Sequence, residues 1–116
     1  MLTVIAEIIC HSEQDMKTVL DSFNNIRAQV LQEPGCHLYD VYIDHPEIES
    51  RLQTKVPFSI MMFEKWESIQ HLETHMHSVN MQQHAKAAYS YLLGHRKSIE
   101  VGHLFLSNLD SFRIEF

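Results

Sequence analysis

The sequence predicts one α+β domain whose elements follow the order β-α-β-β-α-β. Three observations carry this. A chain of 116 residues is the size of a single domain. Four short segments are rich in β-branched and aromatic residues and alternate or run apolar, as strands do. Between them, apolar residues recur at steps of three and four, the period of a helix face.

Residues 2–10, LTVIAEIIC, read as the first strand. Ser12 follows with Asp15 three residues on, a capping-box spacing with Asp in place of Glu. Met16, Val19, Leu20, Phe23, Ile26, Val30 and Leu31 then line one helix face, which Pro34-Gly35 ends. In 37–44, Tyr39, Val41 and Ile43 alternate with Asp40 and Asp44, a second strand. The polar stretch 45–57, bounded by Pro46 and Pro57, is too long for a tight hairpin. FSIMMFEKW, 58–66, is the third strand. Two helical pieces follow. One carries Ile69, Leu72, Met76 and Val79; the other starts near Asn80, carries Met81, Ala85, Ala88 and Leu92, and stops at Gly94. Residues 98–106 form the fourth strand. This is the ferredoxin-like split-βαβ order, a four-stranded antiparallel sheet with its helices on one face.

Strands one and three are apolar on both sides: Leu2, Val4, Ala6 and Ile8 against Ile5 and Ile9, and Phe58, Ile60 and Met62 against Met61 and Phe63. Helices cover only one of these faces, and monomers rarely expose a large apolar patch. The sequence therefore predicts a homodimer that pairs its sheets. The domain is expected over 1–106. In the tail 107–116, Phe112, Ile114 and Phe116 alternate with Arg113 and Glu115, which predicts an added edge strand.

Composition narrows the function. Nine basic against fifteen acidic residues give a net charge of −6, and no basic stripe is present, so nucleic acid is not an expected partner. Gly35, Gly94 and Gly102 cannot form a glycine-rich phosphate cradle. No apolar run nears the ~18 residues of a membrane span, and the N-terminus lacks a secretory pattern, so the cytoplasm is the expected location. Cys10 and Cys36, two strand spacings or about 9.6 Å apart in this topology, lie beyond disulfide reach and should be free thiols that pack rather than react.

The unusual count is nine histidines, four of them between 71 and 84. His71 and His75 share the i, i+4 spacing of zinc ligands, and HLETH looks like a zinc-protease motif. That motif needs Glu directly after the first histidine, whereas Glu73 sits two along and faces away, and no third ligand is evident. No metal site is predicted, and His71 and His77 read as solvated surface residues. His75 lies beside the stripe of Leu72, Met76 and Val79, so it is either a core imidazole with one hydrogen bond or a base facing a cavity. Trp66 continues the face of Ile60, Met62 and Glu64, as core or as a wall on which a flat ring stacks. Glu64 on that face needs a partner, because a lone buried carboxylate is costly. Tyr39 can present its hydroxyl to the same space, and Met61, Met62, Met76 and Met81 are either core filler or an adaptable pocket lining.

The stretches MLTVIAEI (1–8), EPGCHLYDVYID (33–44) and FEKWESIQHLETHM (63–76), with their spacing, resemble the antibiotic biosynthesis monooxygenase (ABM) family over roughly residues 1–105. The likeness is greatest to its bacterial quinol monooxygenase branch. The resemblance implies a dimeric α+β barrel and a cofactor-free oxidation of a quinol or polyphenol by dioxygen. It makes Trp66 the tryptophan that closes strand three and His75 the histidine most members keep in the next helix. Many members follow with a small residue, Pro, His and Phe; here those places read Ser78, Val79, Asn80 and Met81, so the family's second histidine is missing. On this reading His75 is base or orienting donor; Trp66, Ile60 and Met62 bind the ring; Met76 and Glu64 border it; Tyr39 and Asn80 offer hydrogen bonds.

Other members cleave haem or isomerise a phosphorylated signalling sugar. The haem branch is disfavoured: strand one has no asparagine, His84 lies about one residue from the ligand position, and His75 occupies a tryptophan's place. A sugar phosphate wants cations, and Lys65, Lys86, Arg96 and Lys97 all fall off the proposed cavity face. A dimeric binding module without catalysis is the remaining alternative, and polar groups such as Glu64 and His75 inside a pocket argue against it.

Overall fold

A computed structural model of the chain describes residues 1–45, 47–48, 57–88 and 99–107. Seven elements follow in order: β1 (Leu2–Cys10), α1 (Glu13–Leu31), β2 (Cys36–Ile43), β3 (Ser59–Trp66), α2 (Ile69–Met76), α3 (Val79–Ala88) and β4 (Ile99–Ser107). The strands form one antiparallel sheet ordered β2-β3-β1-β4, the ferredoxin-like arrangement. The expected long loop falls largely outside the described residues. So do Leu92, Gly94 and the tail from 108 onward.

Local chemistry accounts for the element ends. Ser12 Oγ accepts the Asp15 N–H at 3.0 Å and caps α1. The chain then turns through Gly35 at φ +80, where an added Cβ would clash with the His71 ring. Ser68 caps α2 by accepting the His71 N–H. Ser78 accepts the Met81 N–H at 3.2 Å, so α3 is a separately capped helix.

The register places Val4 beside Glu64, Ala6 beside Met62 and Ile8 beside Ile60, all facing the helices. Val4, Ala6, Ile8, Ile60 and Met62, with Tyr39, Trp66, Val19, Phe23, Ile26, Val30, Leu72 and Ala88, build the core, and Glu64 is a buried polar residue beside it. Each aliphatic or aromatic side chain so buried contributes about 1.5–3 kcal/mol. The opposite face carries Ile5 between Phe63 and Leu104, and Met61 between Glu7 and Tyr42. There Tyr42, Leu104 and Leu106 are exposed, and Tyr42 meets Phe63 edge-on at 5.5 Å.

Three expectations change. Ile69, Met76 and Val79 are exposed, and the buried positions of α2 and α3 are Leu72, His75, His84 and Ala88. Two imidazoles thus take places that the apolar periodicity gave to methionine and alanine, because these short helices border a cavity instead of capping a filled core. Ile43 is exposed although Tyr39 on the same strand is buried, since β2 is an edge strand and the helices do not reach its end. Cys10 ends β1 and Cys36 begins β2; both strands run antiparallel to β3, so the thiols stand at opposite ends of the sheet, much farther apart than two strand spacings. Burial pushes both thiols up to about 11, Cys10 helped by Asp15 and Cys36 by Glu33 and Glu64. Such thiols are unreactive. Among the described residues no helix is long and apolar enough to cross a membrane.

Candidate active site

Between the sheet and the helices lies a cavity of about 790 Å3. Its walls are mostly apolar: Leu2, Val4, Ala6 and Ile8 of β1, Phe23 of α1, Met62 of β3, Leu72 of α2, Met81 of α3 and Phe105 of β4. Its rim carries the exposed Ile69 and Met76. The polar groups that break this lining are Tyr39, Glu64, Glu73, His75 and His84. A concave apolar space with a few converging polar groups is the usual form of a small-molecule site.

His75 is the centre of the polar group. Its side chain is 1% exposed, and Nδ1 lies 3.0 and 3.2 Å from the two carboxylate oxygens of Glu33. An ionised carboxylate only accepts, so the imidazole donates from Nδ1. Asn80 Nδ2 donates to Glu33 Oε2 at 2.9 Å and fixes that carboxylate from the other side. The second ring nitrogen, Nε2, lies 3.8 Å from Glu64 Oε1. Trp66 Nε1–H donates to the same Glu64 oxygen at 3.1 Å. The Trp66 ring lies 4.5 Å from the His75 ring at an interplanar angle of 30°, and Tyr39 meets His75 edge-on at 5.6 Å. The imidazole is thus gripped on its face, its edge and one nitrogen.

Burial sets the charges. Glu64 is pushed up to about 7 by desolvation, which the Trp66 hydrogen bond opposes and the nearby Glu33 charge reinforces. Burial also lowers the pKa of His75, against the hydrogen bond and charge of Glu33, which favour its protonated form. Deeper along the wall, His84 Nδ1 pairs with Ser22 Oγ at 2.7 Å, and its ring packs 4.2 Å from Phe23. Desolvation, with some repulsion from His75, brings His84 down to about 4. Burial thus favours the neutral form of both imidazoles and of the Glu64 carboxyl.

Of the residues picked from the sequence, the structure brings Tyr39, Met62, Glu64, His75 and Met76 to the cavity. Three stand elsewhere. Trp66 is fully buried behind His75, where it supports the imidazole and the Glu64 carboxyl instead of offering its face to a ligand. Ile60 is buried in the core two residues from Met62, paired with Ile8. Asn80 turns to Glu33, away from the cavity. The sequence reading missed Glu33, Ser22 and His84. Glu33 did leave a signal: an acid just past the C-terminus of a helix faces the negative end of its dipole and calls for a hydrogen-bond donor. Ser22 and His84, 62 residues apart, left none.

Comparisons with known proteins agree with this architecture. The family model described as antibiotic biosynthesis monooxygenase matches residues 1–87. The chain is 44% identical over 88 residues to an Escherichia coli (strain K12) protein described as "Probable quinol monooxygenase YgiN", covering 75% of this chain and 84% of that one. In structure it resembles a crystallised antibiotic biosynthesis monooxygenase at a TM-score of 0.67 and 19% identity, over 93% of this chain and 98% of the other. It also resembles SnoaB of Streptomyces nogalater, described as a cofactor-independent oxygenase, at a TM-score of 0.61 and 13% identity, over 92% and 91% of the two chains. These two likenesses speak for the fold.

Proposed function

The chain belongs to the antibiotic biosynthesis monooxygenase family, and on that premise we propose that it is a monooxygenase oxidising a quinol or polyphenolic aromatic with dioxygen, without a cofactor, in the cavity beneath α2 and α3. The observation that carries this is His75: a buried imidazole at the wall of an apolar cavity, with one nitrogen committed to a carboxylate and the other directed to Glu64. The relative named as a quinol monooxygenase supports the substrate class. A cavity of about 790 Å3 falls within the usual ~300–1,000 Å3 of small-ligand pockets.

The chemistry asks little of the protein. A neutral phenol reduces dioxygen poorly, whereas its phenolate readily gives up an electron. His75 Nε2 takes the hydroxyl proton, and the electron pair stays on the substrate oxygen. Dioxygen accepts one electron, and the apolar walls keep water from the radical pair until they combine. One oxygen atom remains on the ring and the other leaves as water, with all four electrons supplied by the substrate. Met62, Leu72, Met76 and Met81 surround the ring, and the thioethers adapt to its outline. Tyr39 and Glu64 offer hydrogen bonds to its oxygens. No Lys or Arg is found among the described residues lining the cavity, which disfavours a phosphorylated substrate.

The exposed apolar face of the sheet fits a homodimer sealed across Ile5, Met61, Phe63, Leu104 and Leu106, as the family resemblance implies. The test of function is oxygen uptake with menadiol in the presence of a metal chelator. Wild-type protein is expected to accelerate it. His75→Ala should lose about 100-fold or more in kcat, within the range that general-base catalysis supplies. An unchanged rate in that variant removes the role given to His75.

A further inference from the structure

We propose that Glu33, outside the cavity, is the residue that makes His75 a base: it fixes the imidazole tautomer and holds the charge that appears when a substrate proton arrives. Three observations carry this. Glu33 contacts Nδ1 with both oxygens, at 3.0 and 3.2 Å, so the ring's hydrogen is held at Nδ1 and the lone pair is left on Nε2, which lies 3.8 Å from Glu64 Oε1 of the cavity lining. Asn80 pins the carboxylate by donating to Oε2, which leaves Oε1 nearest the imidazole. Glu33 also lines a separate hollow on the outer surface with Gln70, Glu73, Thr74, His77 and Ser78, and its side chain is 14% exposed. The Glu33–His75 pair therefore spans the wall between that hollow and the cavity, and its carboxylate end keeps some contact with solvent where the imidazole has almost none.

The consequence follows by balance. When a substrate O–H bond breaks, its proton forms a new bond to Nε2, and the ring becomes a cation inside an apolar wall. Desolvation alone makes that cation costly. Glu33, at hydrogen-bond distance from the other nitrogen, offsets this cost while dioxygen is being reduced. The Nε2 proton then returns to reduced oxygen, so the pair neither gains nor loses a proton over the cycle. Glu33 touches neither substrate nor dioxygen in this scheme; it is a positioning residue.

The catalytic arm of this inference rests on the quinol reading, and its test separates the two. In Glu33→Gln the amide oxygen is expected to keep the Asn80 hydrogen bond, which turns the amide NH2 toward His75 Nδ1. That reverses the tautomer, placing the ring hydrogen on Nε2 and removing the lone pair from that nitrogen. Long-range 1H–15N spectra of the full chain labelled in histidine distinguish the two tautomers without turnover. Wild type and Glu33→Asp should show His75 protonated at Nδ1, and Glu33→Gln at Nε2. Among the described residues, the charged and titratable groups facing His75 are Glu33 after α1, Tyr39 of β2, Glu64 of β3 and His84 of α3, so spectra are taken across pH to assign each step.

With menadiol, Glu33→Gln should lose about ten- to a hundredfold in kcat with KM little changed, a share of what general-base catalysis supplies. Glu33→Asp should recover part of that loss. Wild type holding the hydrogen at Nε2, or a Glu33→Gln variant that is folded and as fast as wild type, overturns the proposal. A wild type that never oxidises menadiol overturns the quinol reading instead, and the tautomer spectra then decide the role of Glu33 by themselves.

Discussion

Replacing Glu64 by Gln is expected to stabilise the protein, and to do so only above the acid range. Glu64 is 7% exposed and pushed up to about 7 from its ordinary value of 4.5. The folded chain therefore binds this proton more tightly than the unfolded chain. Stability from this group is complete below the unfolded pKa, near 4.5, and is lost as pH rises through about 7. The full penalty for a shift of this size is about 3 kcal/mol, and the part that develops between roughly pH 5 and pH 8 is about 2–3 kcal/mol. Gln keeps the shape of a neutral carboxyl, and its carbonyl can still accept from Trp66 Nε1. It carries no charge to desolvate. Urea unfolding of both proteins at the two pH values measures the effect directly. The stability difference between variant and wild type should grow by about 2–3 kcal/mol from the lower pH to the higher one. Taking that difference cancels whatever Gln does to packing, and also the opposite trend from His84, which sits in both proteins. A difference that stays constant across pH refutes the picture of a desolvated, near-neutral Glu64 beside His75.

Other outcomes follow from the same geometry. Gly35→Ala should cost about 1–3 kcal/mol in thermal or urea unfolding, because φ is +80 and the new Cβ would meet the His71 ring; an unaltered midpoint would show that this turn relaxes freely. Leu104→Asp, on the exposed sheet face, should convert a dimer to a monomer in size-exclusion chromatography while leaving the subunit folded. If wild type already elutes as a monomer, the sheet-to-sheet association is wrong.

The order of elements was legible because it depends on local signals. Ser12 and the Pro34-Gly35 turn mark boundaries that the chain obeys, and β1 runs over the residues its apolar run predicts. Glu64 was also legible as a problem: a carboxylate at an inward strand position must find company, and it finds Trp66 and His75. The helix faces were not legible. Periodicity ranks side chains by hydrophobicity and assumes a filled interior, so it assigned Met76 and Ala85 to the core, where the fold buries His75 and His84.

Sequence by itself determined the strand and helix order, the family, and the presence of a histidine and a carboxylate on inward-facing positions. Tertiary structure decided what those groups do. Only the register of β3 against β1, and the return of the chain after α1, set Glu33 and Glu64 on either side of one imidazole and moved Trp66 behind it. The physical reason is range. Caps, turns and apolar runs are fixed by neighbours a few residues apart, whereas the protonation state of His75 depends on a carboxylate 42 residues away and on the water excluded between layers.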